Sequence, residues 1–149
     1  MSKKKVLITG IGGQDGSYLA EHLLENDYEI FGIVRRNSIS ENQWSRLDHL
    51  NNAIKVEYGD LLDDSSLNKL LISIKPDEIY NIGAQSHVRI SFDIPKYTVK
   101  TNAIGVLNLL ESIKYNCPMV KFYQASSSEM FGNSVDKDDF QRETTPMHP

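Results

Sequence analysis

Apolar residues in the 149-residue chain follow two alternating patterns. Short continuous runs read as strands: Val6-Leu7-Ile8, Glu29 to Val34, Ile54 to Tyr58, Glu78 to Asn81 and Lys121 to Ala125. Between them the spacing widens to that of a helix face. One helix passes through Tyr18, Leu19, Leu23 and Leu24 to a turn at Asn26-Asp27. In a second, Leu67, Leu70, Leu71 and Ile74 fall at i, i+3, i+4 and i+7, with Asp64 or Ser65 as the cap and Pro76 as the stop. A long third helix is expected after Pro95, with Val99, Ala103, Val106, Leu107, Leu110 and Ile113 on its apolar stripe and its end near Asn116-Cys117-Pro118. Asn42 to Leu50 reads as a short helix. Beyond Ser126, Asp136, Asp138 and Asp139 suggest a solvated loop, and the tail from Thr144 reads as extended.

Strands alternating with helices imply parallel strands joined by right-handed crossovers. The prediction is an α/β fold: a doubly wound parallel sheet of the Rossmann type, cut off after about five strands, in one domain spanning residues 1–149. The ligand crevice of such a sheet lies outside the carboxyl ends of its strands.

Composition narrows the function classes. Hydrophobic residues at 40% and charged residues at 24% suit an ordinary globular chain. A net charge of −4 argues against a dedicated nucleic-acid binder. No apolar stretch approaches the ~20 residues that span a bilayer. Lys3-Lys4-Lys5 before Val6-Leu7-Ile8 superficially suggests a signal peptide, but the run breaks at Thr9-Gly10. The single cysteine, Cys117, forms no internal disulfide, which fits a reducing, cytoplasmic setting. His22, His49, His87 and His148 show no metal spacing, so no metal site is predicted. His87 falls in the crevice loop, where a local hydrogen-bonding role is favoured over contact with substrate.

The chemistry centres on Gly10-Ile11-Gly12-Gly13-Gln14-Asp15-Gly16, between the first strand and the first helix. A glycine-rich turn there lets the backbone approach a pyrophosphate, and free N–H groups and the positive end of the helix dipole face the anion. The spacing is G-x-x-G-x-x-G, and the alternative is a tight turn and nothing more. At the end of the second strand, a carboxylate would accept from an NAD ribose, whereas arginine accommodates the 2′-phosphate of NADP. The chain reads Val34-Arg35-Arg36-Asn37-Ser38, which predicts NADP; solvated surface arginines are the competing reading. Asp60, after the third strand, suits either an adenine amino group or a helix cap. Gly83-Ala84-Gln85-Ser86, after the fourth, is small enough for a cofactor to pass close to the backbone.

Several segments resemble the GDP-mannose 4,6-dehydratases of the extended short-chain dehydrogenase/reductase superfamily. They are Thr9 through Glu21, Gly32 to Arg36, Tyr58 to Leu61, Pro76 to Asn81, Ala84 to Phe92 and Lys121 to Ser126. The Gln-Asp-Gly-Ser-Tyr-Leu and Gln-Ser-His-Val elements are the most specific. The resemblance implies an internal redox cycle in which NADP⁺ takes hydride from C4 of the mannose, water leaves across C5 and C6, and the hydride returns to C6. It places cofactor contacts on Gly10, Gly13, Gln14, Asp15, Gly16, Arg35, Arg36, Asn37, Ser38, Asp60, Leu61, Ile82, Gly83, Ala84, Gln85, Ser86 and Tyr97. It places the catalytic hydroxyl and carboxylate on Ser127 and Glu129, with Glu129 as the C5 base; the residues alone read equally as a capped turn. Ser127 stands where the family usually has threonine. The segment around Trp44 and Arg46 is implied to help subunits of a homo-oligomer meet.

The same resemblance calls for a Tyr-x-x-x-Lys pair. Four places after Tyr18, Tyr28, Tyr58, Tyr80, Tyr97, Tyr115 and Tyr123 stand His22, Gly32, Leu62, Ala84, Thr101, Met119 and Ser127, none of them lysine. The expectation is therefore the N-terminal cofactor half of a longer enzyme, without the substrate subdomain and inactive alone. Two other readings remain open. One is another nucleotide-sugar epimerase or reductase of the superfamily, the other a non-catalytic NADP-binding module.

Overall fold

The computed structural model describes residues 2–35, 45–50 and 52–149. Five strands form one parallel sheet: β1 (Lys5–Thr9), β2 (Glu29–Val34), β3 (Lys55–Tyr58), β4 (Glu78–Asn81) and β5 (Lys121–Gln124), ordered β3-β2-β1-β4-β5. The order reverses beside β1, which pairs with β2 (Leu7 beside Phe31) and with β4 (Leu7 beside Ile79). The predicted strands match within one or two residues at their ends.

Side chains of a strand alternate between faces, and each face here has its own core. Leu7, Phe31, Ile33 and Ile79 join Leu67, Leu71, Leu109 and Ile113 on one side. Val6, Ile8, Ile30 and Val34 join Ile11, Ala20, Leu23 and Ile54 on the other. Each side chain taken fully out of water is worth about 1.5–3 kcal/mol before the entropy of ordering is counted.

The first core is closed by α2 (Asp64–Ile74), and the second by α1 (Gln14–Glu25). The cap of α2 is Asp63, not Asp64 or Ser65. Its carboxylate accepts from the Ser65 amide at 3.1 Å and the Ser66 amide at 3.4 Å. A further bond from the Ser65 hydroxyl helps hold the Asp63 carboxyl below the ordinary aspartate range. The helix ends at Ile74, and Lys75 turns left-handed (φ 51°) before Pro76.

The segment after β4 is more elaborate than one helix. It comprises α3 (Val88–Asp93), α4 (Pro95–Val99), a π-helical turn at Lys100–Ile104, and α5 (Gly105–Asn116). The stripe expected to be buried faces mainly outward: Val99, Leu107 and Leu110 are 60, 52 and 41% exposed. The buried stripe is Thr101, Gly105, Leu109, Ser112 and Ile113. Small residues win that face because the helix comes very close to its neighbours. A Cβ on Gly105 would stand 2.8 Å from the Leu61 Cβ.

The predicted short helix at Asn42 to Leu50 is a turn at 45–47 and a 3₁₀ turn at Asp48–Leu50; residues 42–44 lie outside the described residues. The loop after Ser126 is tied together by its own side chains. The Arg142 guanidinium donates to Asp136 at 3.0 Å and to both Asp138 oxygens, and the buried Thr145 donates to Asp136 at 3.0 Å.

Candidate functional site

A cavity of about 330 Å³ opens at the carboxyl ends of the strands. Gly10, Gly12 and Gly13 form one wall, Val34 and Arg35 a second, Asp60 and Leu61 a third. Gly83, Ala84, Tyr97 and Thr101 also line it. It sits at the switch point, where β1 has neighbours reached by opposite crossovers and a parallel sheet leaves room for a ligand.

The glycine turn has the geometry of an anion cradle. Gly10 turns left-handed (φ 70°), a conformation glycine adopts without steric cost. The Gly13 amide donates to the Gly10 carbonyl at 2.9 Å, and α1 begins immediately after. Gly13 occupies the cap position and supplies no side chain to the first-turn amides. Those amides and the positive helix end are the usual partners of a phosphate.

Arg35 stands at the end of β2 with its guanidinium 5.4 Å from the centre of the Tyr97 ring. The pair forms a cation–π corner of the cavity. Asp60 is not the cap of α2. Its Oδ1 accepts from the Leu62 amide at 2.9 Å, which shapes the loop behind the cavity and leaves the second oxygen clear of that bond. The Asn108 side-chain amide donates to the Leu61 carbonyl at 3.0 Å and fixes the loop to α5.

A buried polar chain ties three strand ends together. The Thr9 hydroxyl accepts from the amides of Ile82 (3.2 Å) and Gly83 (2.9 Å), and donates to Asn81 Oδ1. Asn81 in turn donates to Gln124 Oε1 at 2.8 Å. One hydroxyl thus uses its donor and both acceptor positions, and the end of β4 is held against β1.

Eight predicted contacts lie on the cavity wall: Gly10, Gly13, Arg35, Asp60, Leu61, Gly83, Ala84 and Tyr97. Gln14, Asp15 and Gly16 belong to the first turn of α1 beside it, and Ile82 and Ser86 flank Gly83 and Ala84. Gln85 is committed elsewhere. Its side chain donates to Thr98 at 3.0 Å and accepts from the His87 amide at 2.8 Å, while its backbone makes two bonds to Asn102. Arg36, Asn37, Ser38 and Trp44 lie outside the described residues. The wall also holds Thr9, Gly12, Ile33, Val34, Gly59 and Thr101, which were not among the predicted contacts, although Gly12 lies within the predicted glycine turn. For Gly12 and Gly59 the signal was adjacency to residues already chosen; Thr101 had none.

Ser127 and Glu129 stand just past β5, both exposed and outside the cavity wall. Ser127 caps the 3₁₀ turn Ser128–Phe131, its Oγ accepting from the Glu129 amide at 3.2 Å. His87 caps α3 through Nδ1, which accepts from the Ile90 amide at 3.4 Å. Cys117 closes α5, and burial pushes its thiol pKa up. Among the described residues, no group of three or more His, Cys, Asp or Glu side chains is placed to hold a metal ion. No described helix is long and apolar enough to cross a membrane.

The family model described as GDP-mannose 4,6 dehydratase matches residues 7–149. The chain belongs to the GDP-mannose 4,6-dehydratase family. It is 51% identical to the GDP-mannose 4,6-dehydratase of Vibrio cholerae serotype O1 over 100% of this chain, and 49% identical to the human GDP-mannose 4,6 dehydratase over 96%. It spans only 41% and 40% of the length of those two relatives, so it corresponds to a portion of the family's enzymes. Among solved structures, the UDP-Glc/GlcNAc 4-epimerase of Campylobacter jejuni matches 98% of this chain at 26% identity with a TM-score of 0.84. The UDP-glucose 4-epimerase of Bifidobacterium longum, solved with NAD⁺ and UDP, has the same TM-score over 97% of this chain at 20% identity, which speaks to the fold alone. In both cases this chain covers 43% of the other. The strand order here is that of a Rossmann-type fold, and these solved structures share the fold.

Proposed function

We propose that residues 1–149 form the NADP-binding part of a cytoplasmic enzyme that converts GDP-mannose to GDP-4-keto-6-deoxy-mannose and water. The carrying observation is a cavity lined jointly by the Gly10–Gly13 turn and the Arg35–Tyr97 corner. The fit is steric as well as electrostatic. Gly10 lacks a Cβ that would collide with the Gly83 backbone, so the glycine turn and the end of β4 can pack together as adjoining parts of the cavity wall. Arg35 offers two parallel donors to a 2′-phosphate, joined by Arg36 from the sequence, and no carboxylate stands between Val34 and Ser38 to compete.

When bound, NADP⁺ supplies a reversible sink for hydride. The chain's own residues hold and orient. The first-turn amides of α1 bind the diphosphate, Asp60 and Leu61 face the adenine, and Gly83 and Ala84 let the nicotinamide half lie close. The roles of the catalytic hydroxyl and of the C5 base are assigned to Ser127 and Glu129 on the family resemblance alone, since both lie outside the cavity wall. The chain contains no Tyr-x-x-x-Lys sequence to serve the C4 hydroxyl, so the 149 residues alone are proposed not to turn over. The partners are the small nucleotide sugar and, in the complete enzyme, further copies of itself; neither nucleic acid nor a membrane is part of this reading.

Titration calorimetry with NADPH and NADH tests the proposal. Tight NADPH and weaker NADH binding is the expected result, with the difference reduced in Arg35→Ala. Equal affinities would remove the NADP assignment, and no binding of either would remove the dinucleotide reading.

A further inference from the structure

Thr101 lines the cavity, is only 8% exposed, and its hydroxyl has no hydrogen-bond partner among the described residues. It is the one buried side-chain polar atom among them left in that condition. Threonine in an ordinary helix commonly satisfies its hydroxyl on a carbonyl one turn back. Thr101 instead lies in the π-helical turn Lys100–Ile104, an irregularity often found at functional sites. That turn is anchored: Asn102 exchanges two hydrogen bonds, at 2.8 and 2.9 Å, with the backbone of Gln85 in the crevice loop. An orphaned buried hydroxyl costs free energy, and a bound ligand can recover it.

Position indicates which part of a ligand would do so. Tyr97, Thr101 and Gly105 follow one another at four-residue steps. Tyr97 stacks with Arg35, and Gly105 packs against Leu61. Thr101 therefore lies between the corner proposed for the ribose phosphate and the loop proposed for the adenine.

We propose that Thr101 is a ligand-binding residue whose hydroxyl hydrogen-bonds the adenosine half of the dinucleotide. This rests on the dinucleotide reading above. The hydroxyl oxygen is shielded from water in the unliganded chain, so engagement involves rotation about χ1. Threonine in a helix has two accessible rotamers, and passing between them carries the hydroxyl to a different side of the side chain.

The test compares the 149-residue chain with Thr101→Val and Thr101→Ser, using calorimetry with NADP⁺ and 2′,5′-ADP and melting without ligand. Thr101→Val is expected to weaken both ligands about 2- to 10-fold, the worth of a neutral hydrogen bond. Thr101→Ser should restore affinity to within about twofold of the original, a fraction of that bond. The unliganded Thr101→Val protein should melt no lower than the parent, because valine removes an unpaired polar atom. Unchanged affinity in Thr101→Val, an effect on NADP⁺ but not on 2′,5′-ADP, or a lower unliganded melting temperature would each overturn the assignment of Thr101. Failure of the parent chain to bind either ligand would instead overturn the dinucleotide reading, and the assignment with it.

Discussion

Gly10 and Gly83 meet at the carboxyl ends of β1 and β4, and a Cβ on Gly10 would stand 2.8 Å from the Gly83 Cα. No side chain moves aside there, because both partners are backbone. Gly10 is also left-handed. Gly10→Ala therefore meets two penalties together, a strained φ of about 1–2 kcal/mol and a steric conflict in the wall of the cavity. Urea melts should show a loss at least as large as the first, and calorimetry should show dinucleotide binding abolished. Parental stability with parental binding would contradict the close packing of the two glycines.

Among the described residues, the Thr9 hydroxyl is the sole side-chain partner of the Ile82 and Gly83 amides. Thr9→Val keeps the shape and removes the oxygen. Both amides are partly buried, so leaving each without a partner costs at most about 1–3 kcal/mol. Faster hydrogen exchange at Ile82 and Gly83 is the expected result, together with a lower melting temperature. Thr9→Ser, which keeps the oxygen, should recover most of both.

Asp63 gives α2 a pH dependence with a definite sign. Hydrogen bonds from Ser65 and Ser66 hold its native pKa below the unfolded value, so the native state favours the carboxylate. The stabilisation is fully present above the unfolded aspartate value of about 3.9, and it is lost as pH falls through the depressed native value. Melting temperature should decline across that acid window less steeply in Asp63→Asn than in the parent. Identical acid limbs would show that the cap contributes nothing.

Val99, Leu107 and Leu110 make one face of the third helical segment apolar and exposed. An apolar stripe of this kind favours association with a second copy. Light scattering should detect concentration-dependent dimers of the chain, and Leu107→Glu with Leu110→Glu should return it to a monomer without lowering the melting temperature. A parent chain that stays monomeric at high concentration would remove this part of the proposal.

Much of the molecule was legible in the residues alone. Each strand announced itself as a run too short for a helix and too apolar for a loop, and β4 at Glu78–Asn81 was placed to the residue. The Gly10–Gly16 turn was legible because few other roles call for so many glycines between a first strand and a first helix. Arg35 was legible because its position after β2 follows from the strand itself. The capping of α2 was less so: Asp63, Asp64, Ser65 and Ser66 are all competent caps, and only the backbone turn selects Asp63.

The sequence by itself therefore determined the parallel α/β order, the place of the glycine-rich turn and the family, because these depend on local spacing and on side-chain types that few structures share. Tertiary structure alone decided that α5 buries Gly105 and Ser112 while Leu107 faces outward, that Thr9 bridges to Asn81, and that Thr101 lines the cavity with its hydroxyl unpaired. Periodicity measures how apolar a face is. It carries no record of how closely another element approaches, and close approach is what favours a glycine over a leucine or leaves one buried oxygen without a partner.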